Sequence, residues 1–402
     1  STKAIKRLSL DGSVRNLAVV RVDDAIDRLD IGGSIDAGGF VEAAAAASVK
    51  IGQSLMGAVV LGASLRGTKV NIDGHIGDGV NPALLSIGGD ARIDVRGGVN
   101  HFATVEVARE LDQLRVDGVA SGDFFVDMNG GRFQFGALDG AVITTGLDLK
   151  QLDADTITNT LVQVGATRGA DGQFATTAEG RDFGEGGSRS TLGRVNAETI
   201  TNSIIASSGD IDNAQTKNVV DHSSIMSGVS VGSTAISVVV NDATPLGDDV
   251  EMNAARSAAD RELLFGDIGS ARLGGAGLSD SDLVAGVDPG DDGIFGNMPG
   301  DPVFGDRVLF FVPGRPLPEG GGRSSIGRAS FGADAASNVL ADSGVDGDFG
   351  AALVNGDVTY DIAQLTPTTP LPALSGTATA DAGAGVGNIF IEVKGDGAVR
   401  IH

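Results

Sequence analysis

The chain contains no cysteine and no tryptophan, and only one tyrosine in 402 residues. The missing cysteine excludes a disulfide framework and any thiolate metal site. The missing tryptophan and the lone Tyr360 argue against the exposed aromatic platforms on which sugars stack. Basic residues are also scarce: 29 Lys and Arg face 53 Asp and Glu, for a formal charge of −24. Such a surface repels phosphate backbones, so nucleic acid is excluded as a partner. No apolar run approaches the roughly 18–20 residues that a membrane-spanning helix requires. The opening Ser1-Thr2-Lys3-Ala4-Ile5-Lys6-Arg7 does not read as a signal peptide, so a mature or trimmed chain is expected.

What the chain does hold is 62 glycines among 41% hydrophobic residues. Low-complexity disorder would lack the Val, Ile and Leu found throughout, so the glycines read as punctuation between strands. A short pattern recurs: apolar, polar, apolar, then Gly or a small polar residue. It begins as Leu8-Ser9-Leu10-Asp11-Gly12 and returns as Leu29-Asp30-Ile31-Gly32-Gly33 and Val49-Lys50-Ile51-Gly52. Val70-Asn71-Ile72-Asp73-Gly74, Ile93-Asp94-Val95-Arg96-Gly97 and Leu114-Arg115-Val116-Asp117-Gly118 follow. Phe133-Gln134-Phe135-Gly136 and the weaker Leu152-Asp153-Ala154-Asp155 complete the series. The starts lie 21, 20, 21, 23, 21, 19 and 19 residues apart.

Alternation with period two means strand, and a second apolar patch follows about ten residues after each start. An antiparallel meander would explain the strand spacing but not the return of similar sequence every twenty residues. A coil explains both, because equivalent positions stack and see the same surroundings in every turn. The fold class expected is all-β, a right-handed parallel β-helix with about 20 residues per coil. The tighter left-handed form, built on hexapeptides, would need roughly 18.

A longer duplicate supports stacking. The stretch Asp153-Ala154-Asp155-Thr156-Ile157-Thr158-Asn159-Thr160-Leu161-Val162 matches Asn196-Ala197-Glu198-Thr199-Ile200-Thr201-Asn202-Ser203-Ile204-Ile205 position by position. Asn159 and Asn202 then occupy equivalent turns, where Asn tolerates left-handed backbone angles. Between the copies, 166–190 reads as a Gly- and charge-rich loop leaving the coil. These I-x-N-[ST]-x-I turns and V-x-[IV]-x-G-[GD] strands, over residues 5–240, resemble bacterial cell-surface parallel β-helix repeat proteins of adhesin or surface-layer type. The resemblance implies export to an extracellular or cell-surface location and a structural or adhesive role. It carries over no catalytic residue.

Proline marks a change of character: only Pro82 precedes residue 245, and the other ten prolines lie between Pro245 and Pro372. Proline cannot donate to a strand ladder, so the regular coil is expected to occupy 1–244. Residues 245–380 read as a Pro/Gly/Asp-rich elaboration with one short helix over 249–265. Terminal strands over 381–402 are expected to rejoin a β-sheet, since Ile391-Glu392-Val393-Lys394-Gly395 repeats the class pattern of Ile93-Asp94-Val95-Arg96-Gly97.

The best chemical candidates are acidic. Asp288, Asp291 and Asp292 sit among glycines and are followed by Asp301 and Asp306; Asp342, Asp346 and Asp348 form a second group. Asp interleaved with Gly supplies carboxylates and carbonyls in tight turns, the oxygen-rich environment that Ca²⁺ prefers. Calcium is therefore the cofactor these segments would hold, although neither fits the EF-hand or calcium-roll spacing. The bland alternative is a solvated acidic turn. Gly228-Val229-Ser230-Val231-Gly232 satisfies the nucleophile-elbow pattern but has no helix after it, so it reads as a coincidence. His75, His101, His222 and His402 form no spaced pair.

No enzyme is expected. The function these features favour is an extracellular structural building block of a surface layer, filament or adhesin. It would associate with identical copies end to end or edge to edge, with a surface polysaccharide as a further partner. The alternative is a β-helix polysaccharide lyase or hydrolase, or a carbohydrate-binding tailspike-like protein. Asp94 and Asp117, if stacked, would supply the paired carboxylates that sugar cleavage uses.

Overall fold

The computed structural model describes residues 5–15, 17–64, 67–166, 190–228, 266–288, 307–308, 324, 326–331, 338–341, 345–347, 391–393 and 399–401. These residues contain strands, bridges and turns and no helix. The expected helix over 249–265 lies outside them. The chain divides into two compact units, Ser1–Val162 and Gln163–His402. Both are built from the parallel β-solenoid read in the sequence, about 10 turns in all with roughly 20 residues per turn.

In the first unit the recurring apolar-polar-apolar strands stack in parallel register. β1 (Leu8–Leu10) pairs with the end of β2 (Val19–Ile31), Leu8 opposite Leu29 and Leu10 opposite Ile31. β3 (Phe40–Ile51) follows, with Val49 opposite Val70, which in turn faces Ile93. Leu29, Val49, Val70, Ile93, Leu114, Phe133 and Leu152 are all buried, forming one continuous interior column. Burying each such side chain contributes about 1.5–3 kcal/mol, which is why the apolar positions of the repeat tolerate exchange of type but not of polarity. A corner column follows, Val14, Ile35, Leu55, Ile76 and Val99, each bridged to the next. A second wall is then formed by strands such as Ala58–Leu61, Ala103–Val107 and Asp123–Val126.

Volume is exchanged between positions inside one turn. The turn of Phe133 and Phe135 has Gly130 where the flanking turns have Leu111 and Leu149. A Cβ on Gly130 would sit 2.6 Å from Leu149 Cδ1 and 3.0 Å from Phe133 Cζ. The large ring fills the space that the neighbouring turns fill with leucine, as close packing demands. Phe135 meets Phe124 edge to face, with ring centroids 5.5 Å apart.

The glycine of the repeat has a related cause. A Cβ on Gly97 would lie 2.6 Å from the carbonyl oxygen of Gly74 in the preceding turn. Backbones of successive turns touch here, and only glycine fits.

The second unit continues parallel pairing beyond residue 245. Leu192–Thr201 pairs with Ile211–Asp221, which pairs with Ala271–Leu273 and Gly277–Ser279. Ser224–Ser227 pairs with Asp282–Ala285, and that strand with Asn338–Ala341. Turns whose partners lie 58 residues apart in sequence thus stack as closely as those 20 apart. At the end of the chain, Ile391–Val393 pairs antiparallel with Val399–Ile401 in a separate two-stranded sheet.

Candidate functional site

Of the predicted acidic residues, Asp288 and Asp346 fall among the described residues. Asp288 ends the two-residue strand Val287–Asp288, antiparallel to Arg307–Val308. Asp346 is the middle residue of Val345–Gly347, which runs parallel to Ile326–Ser330. Asp291, Asp292, Asp301, Asp306, Asp342 and Asp348 lie outside the described residues. Among the described residues, no group of three or more His, Asp or Glu side chains could hold a metal ion.

The register also separates the two carboxylates considered for sugar cleavage. Asp94 faces Asn71 on one side and Arg115 on the other. Asp117 is not in that column; its carboxylate accepts from Arg115 Nε at 2.7 Å. The pair expected to stack is thus interleaved with a guanidinium, because Asp117 stands two places beyond the position that aligns with Asp94.

The left-handed turns anticipated at Asn159 and Asn202 are present, with φ of 49° and 47°. His222 (φ 45°) and Asp280 (φ 49°) adopt the same conformation. Each is followed by a hydroxyl residue: Thr160, Ser203, Ser223 and Ser281. In every case that hydroxyl donates to the carbonyl two residues back, at 2.7–2.8 Å. In the second unit the same oxygens accept backbone N–H groups across turns, Ser203 to Ser223 Oγ and Ser223 to Ser281 Oγ, both at 3.0 Å. The x-N-[ST] signature is therefore a backbone-satisfying device for buried amides. Beside it, His222 lies between two carboxylates, with Nδ1 3.2 Å from Asp221 and Nε2 3.1 Å from Asp280.

The remaining histidines are structural. His75 Nδ1 accepts the N–H of Gly98 at 3.1 Å, and His101 packs against the ring of Phe102. His402 lies outside the described residues, as does 229–232 of the nucleophile-elbow pattern.

The feature that the sequence reading passed over is the first described turn. Ile5, β1, Val14 and residues 19–22 all bond toward the second turn, and none has a partner on the opposite side among the described residues. Ile5, Leu17 and Val19 are exposed at 37%, 78% and 63%; Ile5 lies in register with the buried Ile26, whereas Val19 belongs to the outward-facing series of Phe40 and Ala58. Three arginines of this turn each reach an acid of the second. Arg7 meets Asp30 at 2.8 Å, Arg15 meets Asp36 at 3.1 Å, and Arg21 meets Glu42 at 2.6 Å. Asp30 is the most enclosed of these acids, held from its own strand by Arg28 as well. The hydrogen bond to Glu42 raises the Arg21 pKa further above its usual value. The signal in sequence was spacing: each arginine precedes its acid by one turn length, 21 to 23 residues.

No family model, no curated protein and no solved structure matches this chain.

Proposed function

We propose that this protein is a structural building block, a β-solenoid that polymerises through its strand edges into a filament or layer outside the cell. One observation carries this reading: parallel turns stack in register on one buried column, Leu29, Val49, Val70, Ile93, Leu114, Phe133 and Leu152. A stack of parallel turns ends in strand edges, and such edges template strand addition unless a natural device blunts them. The rest of the described chain supports the same reading. Repeat positions are spent on interior columns, cross-turn ion pairs and hydroxyl ladders, all of which hold one turn to the next.

Calcium enters the proposal on sequence alone, through Asp288, Asp291, Asp292, Asp301 and Asp306 with their glycines. Light scattering and negative-stain imaging of the purified chain test the main reading. Elongated or sheet-like assemblies that grow with protein concentration are expected. A strictly monomeric species at high concentration, with and without calcium, would overturn it. A melting temperature unmoved by millimolar calcium would remove the metal while leaving assembly in place.

A further inference from the structure

We infer that the first unit binds a linear acidic polysaccharide along one outward column of its long strands, an interaction that does not depend on polymerisation. Arg28, Ser48, Lys69, Arg92, Gln113, Arg132 and Gln151 follow one another in unbroken register, one from each successive turn. Four of these are cations and none is a carboxylate, in a chain whose formal charge is −24. The next outward column, two residues further along each strand, is mixed, with Asp30, Asp94 and Asp153 against Lys50 and Arg115. Flanking positions add Arg96 and Lys150 against Asp27, Asp73, Asp112, Asp117 and Asp155. The wall as a whole is therefore balanced, and its positive charge is gathered on one line.

Holding the turns together does not account for this line. Lys69 stands directly opposite Arg92. Neighbouring parallel strands lie about 4.8 Å apart, and like charges facing each other at that spacing destabilise a sheet. Among the described residues no carboxylate pairs with Lys69. Arg92 turns to Asp112, Arg28 to Asp30 of its own strand, and Arg132 reaches Asp153 at 3.4 Å. The three arginine side chains remain 54%, 65% and 53% exposed for Arg28, Arg92 and Arg132. A guanidinium has five N–H donors in a planar fork, more than one carboxylate engages. An anionic chain laid along the column would take up the spare donors and relieve the repulsion between Lys69 and Arg92.

The order along the column points to the class of polymer. Arg28 and Lys69 are two turns apart, as are Arg92 and Arg132, which sets the cations of each pair roughly 10 Å from one another. Ser48, Gln113 and Gln151 occupy the turns beside them and offer a hydroxyl and amides. Cations alternating with neutral hydrogen-bonding groups suit a chain whose charges are separated by uncharged, hydroxyl-bearing units, which describes a sugar polymer carrying carboxylates or sulfates. A nucleic acid duplex carries a charge about every 1.7 Å, a density that the acidic surroundings oppose. With no tryptophan and one tyrosine in the chain, recognition rests on ion pairs and hydrogen bonds and not on stacking. Each contact is weak, and their repetition along one polymer supplies the affinity.

Titration calorimetry of the full chain with alginate, dextran sulfate and unsubstituted dextran tests this across a NaCl series. One or both anionic polymers are expected to bind, identifying carboxylate or sulfate as the preferred group, while dextran does not. Affinity is expected to fall as NaCl rises, because exposed ion pairs are screened. Lys69→Gln combined with Arg132→Gln is expected to weaken binding by about tenfold with an unchanged circular dichroism spectrum. Arg15→Gln combined with Arg21→Gln removes the same charge from a corner and from the second wall, and is expected to change affinity by less than about twofold. Lys69→Gln alone is expected to raise the melting temperature of the free chain, since it removes one of two facing like charges. No binding of either anionic polysaccharide at low salt would overturn the inference. So would equal losses in the two double variants, or equally tight binding of polyglutamate or single-stranded DNA.

Discussion

The hydroxyl of Ser223 donates to the carbonyl of Asp221 at 2.8 Å and accepts the backbone N–H of Ser203 at 3.0 Å. One side chain thereby closes its own left-handed corner and satisfies a buried amide of the neighbouring turn. Ser281 does the same for Ser279 and Ser223. The repeated corner is a chain of such relays.

Ser223→Ala removes both bonds: the Asp221 carbonyl keeps the N–H of Asn202, but the buried N–H of Ser203 loses its hydroxyl acceptor. A loss of about 1–3 kcal/mol is expected, read as a lower midpoint in urea unfolding. Ser223→Thr keeps the hydroxyl, as Thr160 does at the equivalent corner, and is expected to recover most of the loss.

Two glycines separate close approach from backbone angle. At Gly97 a Cβ would meet Gly74 O at 2.6 Å and His75 Nδ1 at 2.5 Å, so Gly97→Ala is expected to cost on the order of 1–3 kcal/mol. Gly140 has φ of 72° and nothing within 4 Å of an added Cβ. Asn159 and Asn202 hold that conformation at the matching corner. Gly140→Asn is expected to leave the melting temperature nearly unchanged, and Gly140→Val to lower it, since β-branched residues avoid positive φ.

Two carboxylates should titrate in opposite directions. Hydrogen bonds from the Asn81 backbone and side chain, and from the Val80 N–H, hold Asp78 down at about 2. Its turn is therefore favoured in the ionised form, and that advantage fades as pH falls from about 3.8 toward about 2. Asp123 is shifted upward, chiefly by burial and against the opposing attraction of His101. Its protonated form suits the fold, so its contribution declines as pH rises through the raised value. Asp123→Asn is expected to stabilise the protein at neutral pH. Carboxyl chemical shifts followed by NMR would give the two midpoints on either side of the ordinary value.

The long insertion after Gly228 can be removed on paper without altering a turn. Ser207-Ser208-Gly209-Asp210-Ile211 rounds the corner directly, and joining Gly228 to Gly266 gives Ser227-Gly228-Gly266-Asp267-Ile268, the same length. Gly228 donates to Gly209, and Ser227 Oγ donates to Gly266 O at 2.9 Å, so the two ends already meet. Deleting 229–265 is expected to leave strand content and cooperative unfolding intact. Loss of the cooperative transition would show that the insertion is needed by the coil.

The sequence by itself determined the solenoid, its turn length and the residues of its interior columns. Period-two alternation fixes which side chains point inward, and a return every twenty residues requires stacked turns. It also determined the corners at Asn159 and Asn202, because few residues accept that backbone angle. What only tertiary structure decided was register. A bulge sets Ala91 opposite Leu111 but Arg92 opposite Gln113, so Asp112 is the extra residue between them. Insertions hid the later turns for the same reason, since Ser224 and Asp282 are neighbours 58 residues apart. The first-turn arginines were readable as charges, but their pairing with Asp30, Asp36 and Glu42 is a property of the stack, visible only once each strand has been given its neighbours.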